Sequence, residues 1–308
     1  MTIYLPIAEL PVNIFVLLAM GIAVGFISGM FGVGGGFLMT PLLIFLGVAP
    51  AVAVGSVSTH MAASSFSGTL NYARRKQVDL ALGAVLLAGG LTGTLAGVVV
   101  FGVLRRLGQL DLVIAASYIT LLGTIGMLMV VESLNAIRRS RNGAPAHLRR
   151  PGTHPWFLGL PFKMRFRTSR IYVSVLPVVA IGFLIGFLGA LMGIGGGFML
   201  VPALIYLLRV PTLLSVGTSL LLTLVTMVAA VLMHAVLNHT VDAVLGLVLM
   251  VGGTIGSQFG ARAGQSMRAE HLRLLLGLLV LMVGARVAVD QALPPAEPYV
   301  ISIGAVGG

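Results

Sequence analysis

The 308-residue chain contains no cysteine, eight acidic residues and a single tryptophan. Without cysteine there is no disulfide, no thiolate metal site and no cysteine nucleophile. The acids are placed as tellingly as they are few. Asp79, Asp111, Glu132, Asp242 and Asp290 all fall at the ends of apolar stretches and none lies in the middle of one. That excludes a carboxylate proton relay and a dehydrated cage for divalent cations, which needs clustered carboxylates; the substrate is expected to be negative or neutral. Charged residues of both signs make up only 9% of the chain against 58% hydrophobic, with a mean hydropathy of +1.07. A water-soluble fold of this composition would lack the polar side chains to cover itself. No Lys or Arg precedes Arg74, and after Lys76 the next are Arg105 and Arg106, gaps of membrane length. Residues 1–12 show no basic region and no cleavage pattern, so no removable signal peptide is expected and the first helix acts as its own insertion signal. No G-x-x-x-x-G-K-[ST] motif occurs, which argues against ATP drive within the chain.

The net charge of +11 suggests a phosphate binder until its placement is read. Nine basic residues, Arg138, Arg139, Arg141, Arg149, Arg150, Lys163, Arg165, Arg167 and Arg170, crowd one segment that holds no acid and carries Pro145, Pro151, Pro155 and Pro161. The pattern predicts an irregular loop held in the cytoplasm by the positive-inside rule, and no nucleic-acid partner.

On either side of that loop the sequence repeats itself. Gly25-Phe26, Gly32-Val33-Gly34-Gly35-Gly36-Phe37 and Pro41 return as Gly186-Phe187, Gly193-Ile194-Gly195-Gly196-Gly197-Phe198 and Pro202, an offset of 161. Farther on, Gly55-Ser56 matches Gly217-Thr218, Val78-Asp79 matches Val241-Asp242, and Gly83, Gly89-Gly90, Gly93 and Gly97 match Gly246, Gly252-Gly253, Gly256 and Gly260. Apolar stretches lie at about 12–31, 37–48, 51–72, 78–103 and 110–136, then 171–192, 198–208, 212–235, 241–262 and 272–290. Since a crossing takes about 20 residues, the second stretch of each half is only half-spanning. Each half makes a net odd number of crossings, so the halves are expected in opposite orientations. Arg74-Arg75-Lys76, the central loop, Arg209, Arg262, Arg268 and Arg273 then lie inside, and Glu9, Asp290 and Glu297 outside; Arg105-Arg106 alone breaks the bias. The expected fold is an all-α integral membrane protein of two inverted-topology repeats, each of about five hydrophobic segments, with a short half-spanning helix after a Gly-rich break. Its parts are repeat 1 (1–137), a basic cytoplasmic linker (138–170), repeat 2 (171–292) and an external tail (293–308).

Inverted repeats with broken helices place substrate sites near the bilayer midplane. Glycine runs there can turn backbone N–H groups toward an anion, and each following half-helix adds about half a positive charge at its N-terminus. Gly34, Gly35, Gly36, Gly195, Gly196 and Gly197 are therefore candidate substrate ligands; the alternative is that these glycines only let helices pack closely. G-x-G-x-x-G read from Gly32 or Gly193 meets Phe37 or Phe198 at its third glycine, so a dinucleotide fingerprint fails. The third stretch of each half is its most polar, with Ser56, Ser58, Thr59, His60, Ser64, Ser65, Ser67 and Asn71 in one and Thr218, Ser219, Thr223, Thr226 and His234 in the other. Such hydroxyls commonly bond the carbonyl one turn back. Ser56, Thr218 and Ser219, just after matched glycines, are the candidate contacts, together with His60, an ionisable group near mid-helix whose matched position is Leu222. Asn71 and His234 match each other and are candidate gates or helix ends.

The motif G-x-x-x-x-x-x-G-V-G-G-G-F-x-x-x-P from Gly25 to Pro41, its copy from Gly186 to Pro202, and the Gly55-Ser56 and Val78-Asp79 pairs resemble those of the sulfite exporter TauE/SafE family of membrane transporters. The resemblance spans both repeats and departs from the family in the long basic linker. It implies transport of small sulfur-containing anions such as sulfite and organosulfonates. The expected function is a secondary transporter exporting such an anion by rocking one repeat against the other in the inner membrane, without cofactor or metal, with both termini external; homo-oligomerisation is left open. A passive anion channel, or a transporter of another small organic anion, is the alternative. An intramembrane hydrolase using Ser56 and His60 is disfavoured, because residues one turn apart on a helix do not readily align as nucleophile and base.

Overall fold

Asn13 and Ser174, 161 positions apart, open the two halves of the structure in the same way. The Asn13 side chain accepts from the Phe15 amide at 3.0 Å, and Ser174 Oγ from the Leu176 amide at 3.3 Å, each starting a helix. The computed structural model describes residues 2–31, 35–141, 161–166, 168–169, 171–265 and 269–292. Gly34, most of the linker and the tail 293–308 lie outside these.

The first half runs β1 (Thr2–Leu5), β2 (Leu10–Asn13), α1 (Ile14–Phe31), α2 (Gly36–Phe45), α3 (Pro50–Arg74), α4 (Leu80–Arg106) and α5 (Leu110–Arg141). The second runs β3 (Lys163–Phe166), β4 (Ile171–Ser174), α6 (Val175–Met192), α7 (Gly197–Tyr206), α8 (Thr212–Met233), a π-helical turn (His234–Asn238), α9 (Ala243–Gln265) and α10 (Ala269–Ala292). Among the described residues α1, α4, α5, α6, α8, α9 and α10 are long and apolar enough to cross a membrane. At about 1.5 Å per residue, the ten-residue α2 and α7 reach about half of a 30 Å core. The 25-residue α3 is long enough to cross but owes its lower apolarity to its serines and histidine.

Two features depart from expectation. The apolar stretches beginning near 12 and 171 open as strands, because each half starts with a two-stranded antiparallel hairpin, β1 on β2 and β3 on β4, in the same register shifted by 161. Part of the segment expected as irregular loop is thus ordered: α5 continues through Arg138 and Arg139 to Arg141, since Arg is a good helix former, and Lys163–Phe166 is a strand.

Apolar side chains such as Leu95, Leu128, Leu247 and Met282 are exposed, whereas the helix contacts are built from small residues. α1 lies along α9 and α4 along α6 at backbone-to-backbone distance. A Cβ on Gly25 would overlap Gly253 and one on Gly29 would overlap Ser257, while Gly89 faces Val179 and Gly93 faces Phe183. These contacts advance together along both chains, so α1 runs parallel to α9 and α4 to α6. Asp242, Gly246 and Gly253 meet Ser56, Thr59 and His60, which makes α3 parallel to α9; Gly68 meets Leu220 and Gly217 meets Tyr72, which makes α3 antiparallel to α8. Gly83 and Gly90 meet Leu221 and Thr226, which makes α8 parallel to α4. It follows that α1 and α6 point in opposite directions.

Candidate functional site

The two glycine runs are brought together. Gly35 and Gly196 are the N-caps of α2 and α7, neither with a side-chain cap, and the next two residues in each case are Gly36-Phe37 and Gly197-Phe198. The Phe37 and Phe198 rings stack with centroids 4.8 Å apart and 18° between planes, both fully buried, so the N-terminal ends of the two half-helices meet inside the protein. A Cβ on Gly36 would stand 2.5 and 2.6 Å from the carbonyl oxygens of Ile194 and Gly193, an approach that only glycine permits. The break before α7 needs glycine for a second reason: Gly193, which ends α6, has φ 68° and Gly195 has φ 74°, both left-handed.

Hydroxyls surround this meeting point. The Tyr118 hydroxyl donates to the Met192 carbonyl at 3.0 Å, immediately before Gly193. Thr40 Oγ1 lies 3.2 Å from the Cβ position of Gly193, and Thr223 Oγ1 lies 3.3 Å from that of Gly196. The Thr223 hydroxyl is buried without a hydrogen-bond partner. Tyr118 also lines a cleft of about 140 Å³ between α2, α5 and α10, with Pro41, Phe45, Asp111 and Asp290 on its walls.

The polar candidates on α3 and α8 are placed differently from the glycines. Ser56 and Thr218 occupy equivalent positions and do equivalent work: Ser56 Oγ accepts from the Asp242 amide at 2.9 Å, and Thr218 Oγ1 from the Asp79 amide at 3.1 Å. Each therefore ties the start of a helix in one half to a helix of the other. Ser56→Ala or Thr218→Ala should leave a buried N–H without an acceptor and lower stability by about 1–3 kcal/mol. A drop in the melting temperature of the purified protein checks this, whereas a purely ligand-binding role would leave the midpoint in place. Ser219 Oγ bonds the Val216 carbonyl at 2.8 Å within its own helix.

His60 is fully buried, with Nδ1 2.9 Å from the Leu249 carbonyl and Nε2 without a partner. Its ring covers Gly253, whose opposite side receives Gly25; at the matched place Leu222 covers Gly90, which receives Gly186. His60 therefore fills a packing position at the α1–α9 seam that leucine fills in the other half, and Ser56 and His60 have separate partners rather than one another. His234 Nε2 meets the Ala190 carbonyl at 3.0 Å, its Nδ1 meets Asn238 at 3.2 Å, and Phe101 packs edge-on against it, whereas its match Asn71 is exposed.

The sequence marks neither Tyr118 nor Thr40, and it marks Asp79 only as a helix-end acid matched to Asp242. Asp79 had a readable signal: an aspartate directly before an apolar run is a helix N-cap signature. Its Oδ1 accepts from the Ala81 and Leu82 amides, each at 3.1 Å, and its Oδ2 from the Ser169 amide at 2.9 Å and hydroxyl at 2.7 Å. Asp242 caps α9 through the Val244 and Leu245 amides and holds Ile7 and Ala8 of the first hairpin. In both cases a hairpin turn of one half is fastened to a helix of the other.

Comparison with known proteins identifies the family. The family model described as "Sulfite exporter TauE/SafE" matches residues 17–287. The chain is 26% identical over 279 residues to the probable membrane transporter protein YunE of Bacillus subtilis strain 168, covering 88% of this chain and 96% of that one. It is 28% identical over 275 residues to a probable membrane transporter protein of Xylella fastidiosa strain 9a5c, with 88% and 93% coverage, and 24% identical over 270 residues to YjnA of Bacillus subtilis, with 88% and 98% coverage. No solved structure matches significantly. With the family model covering most of the chain and seven apolar helices among its described residues, this multi-pass membrane protein belongs to the sulfite exporter TauE/SafE family of membrane transporters.

Proposed function

We propose that the chain is a secondary transporter that exports a small sulfur-containing anion, sulfite or a short organosulfonate, and holds it where the two half-helices meet. The observation that carries this reading is the convergence of the two capless N-termini, marked by the Phe37–Phe198 stack, in a setting of hydroxyls. Helix N-termini favour negative charge, and the polar side chains nearest the described glycines of the runs, those of Ser28, Thr40 and Thr223, are neutral. In the orientation that places Arg74-Arg75-Lys76 and the basic linker in the cytoplasm, the membrane potential favours outward movement by about 2.3 kcal/mol per charge per 100 mV. No nucleophile and base are needed in this reading.

The bodies that move in alternating access are, in this reading, mixed units rather than the two sequence halves. α1 is locked to α9 and α4 to α6 by glycine contacts, so motion along the seam between α1–α9 and α4–α6 preserves those contacts, whereas rocking repeat against repeat would tear them apart.

Efflux of radiolabelled sulfite or sulfoacetate from proteoliposomes tests the proposal. Saturable flux accelerated by substrate on the opposite side is expected. Absence of flux for every sulfur anion would remove the substrate assignment, and ohmic, non-saturating currents would make the protein a channel.

A further inference from the structure

The two half-helix ends are not equivalent, and the difference lies in one pair of side chains. Met61 on α3 and Thr223 on α8 directly follow the matched residues His60 and Leu222, so they occupy the same place in the two halves; yet both reach the second glycine run. A Cβ on Gly195 would overlap the Met61 methyl and lie 3.3 Å from Thr223 Cγ2, while Thr223 Oγ1 lies 3.3 Å from the Cβ position of Gly196, the N-cap of α7. Thr223 is 1% exposed and its hydroxyl has no partner. The next hydroxyl along α8, that of Thr226, is by contrast satisfied by the Leu222 and Thr223 carbonyls. A buried hydroxyl left open beside a helix N-terminus, whose first-turn amides have no acceptor one turn back, is an unfilled set of donors. At the other half-helix the start of α2 faces the carbonyl oxygens of Gly193 and Ile194, which repel an anion.

We propose that the anion is seated at the N-terminus of α7 alone, held by the backbone amides that follow Gly196 and by Thr223 Oγ1, with the Met61 methyl as its movable cover. Thr223 is then the residue that sets affinity among anions, and Met61, an unbranched thioether with three rotatable bonds, swings aside to admit them. This rests on the reading of the protein as an anion transporter and says which half of the paired site does the binding.

The test uses the full-length chain in proteoliposomes with sulfoacetate as probe. Thr223→Val keeps the shape of the side chain and removes the hydroxyl. It should raise KM about tenfold or more, as expected for one lost hydrogen bond to a charged ligand, with Thr223→Ser restoring most of it. Because the hydroxyl has no protein partner, Thr223→Val should not lower the melting temperature, which a merely structural threonine would. The absence of native cysteine allows a second readout that does not depend on transport: Met61→Cys should react with a negatively charged methanethiosulfonate reagent, and sulfoacetate should slow that reaction. Unchanged KM in Thr223→Val, or a Met61→Cys thiol that is unreactive or reacts equally with and without sulfoacetate, overturns the seat even if flux is intact. Should sulfur anions not be carried at all, labelling of Met61→Cys in the presence of acetate, phosphate or chloride still decides the seat: protection by any of them supports it, and protection by none overturns it.

Discussion

Gly93→Ala, the addition of one methyl group, is expected to remove most of the folded protein, whereas Gly123→Ala should be at least as stable as the parent. The new Cβ at position 93 would fall on the Phe183 carbonyl oxygen, with Phe183 C and Cα at 2.8 and 2.9 Å. All three are backbone atoms of α6, so no rotamer change relieves the clash and the two helices must separate along their length. Overpacking a core by a methylene typically costs about 1–3 kcal/mol; spread along a whole helix seam it should reach about 3 kcal/mol or more. Gly256→Ala should behave the same way, since its Cβ would fall on the Ile22 carbonyl oxygen at the α1–α9 seam. Gly123, in α5, has nothing within 4 Å of its Cβ position, so alanine there adds only helix propensity, up to about 1 kcal/mol in favour of folding. Thermal unfolding in detergent decides it, and similar midpoints for the Gly93 and Gly123 variants would refute the close parallel packing of α4 and α6.

Asp242→Ala carries the second large effect. Its two carboxylate oxygens accept from Val244, Leu245 and Ile7 at 3.0–3.1 Å and from Ala8 at 3.4 Å, and the Asp242 side chain is itself fully buried. Removing the side chain deletes a helix cap, worth about 1 kcal/mol, and leaves hairpin amides unsatisfied at about 1–3 kcal/mol each, so a loss of about 4 kcal/mol is expected. Asp79→Ala should match it through Ala81, Leu82 and Ser169. Asp242→Asn should fall between: its carbonyl oxygen can still cap α9, but its amide group presents donors to the Ile7 and Ala8 donors. If Asp242→Asn melted with Asp242→Ala, the cap would carry none of the stability; if it melted with the parent, the hairpin would carry none.

Much of this fold is legible in sequence because its main devices are local. Four glycines in five residues cannot continue a membrane helix, and an apolar run that ends near residue 48 or 208 cannot cross, so the broken half-helices read directly from Gly32–Phe45 and Gly193–Tyr206. The recurring Gly89, Gly93 and Gly97 and their matches were equally visible, but not what they pack against, since the partners of Gly93 and Gly256 lie in the other half of the chain. Ser56 and Thr218 stood out by matching. Their acceptor role did not, because their partners are 186 and 139 residues away. The hairpins are hidden because β2 and β4 run into apolar stretches while β1 precedes one and β3 lies in the basic linker, and four-residue strands leave too short a pattern to stand out from either. Thr223 shows in sequence only as one polar residue among several, because matching the halves rewards agreement and its counterpart is Met61.

The cross-fastening of the halves also bears on biogenesis. α1 is made well before α9, yet the surface that receives it belongs to α9, and the turn carrying Ile7 and Ala8 waits just as long for Asp242. Until α9 has been made, the glycine-lined flank of α1 must be shielded by lipid or an insertase. Neither half, made separately, would have a partner for its own leading helix.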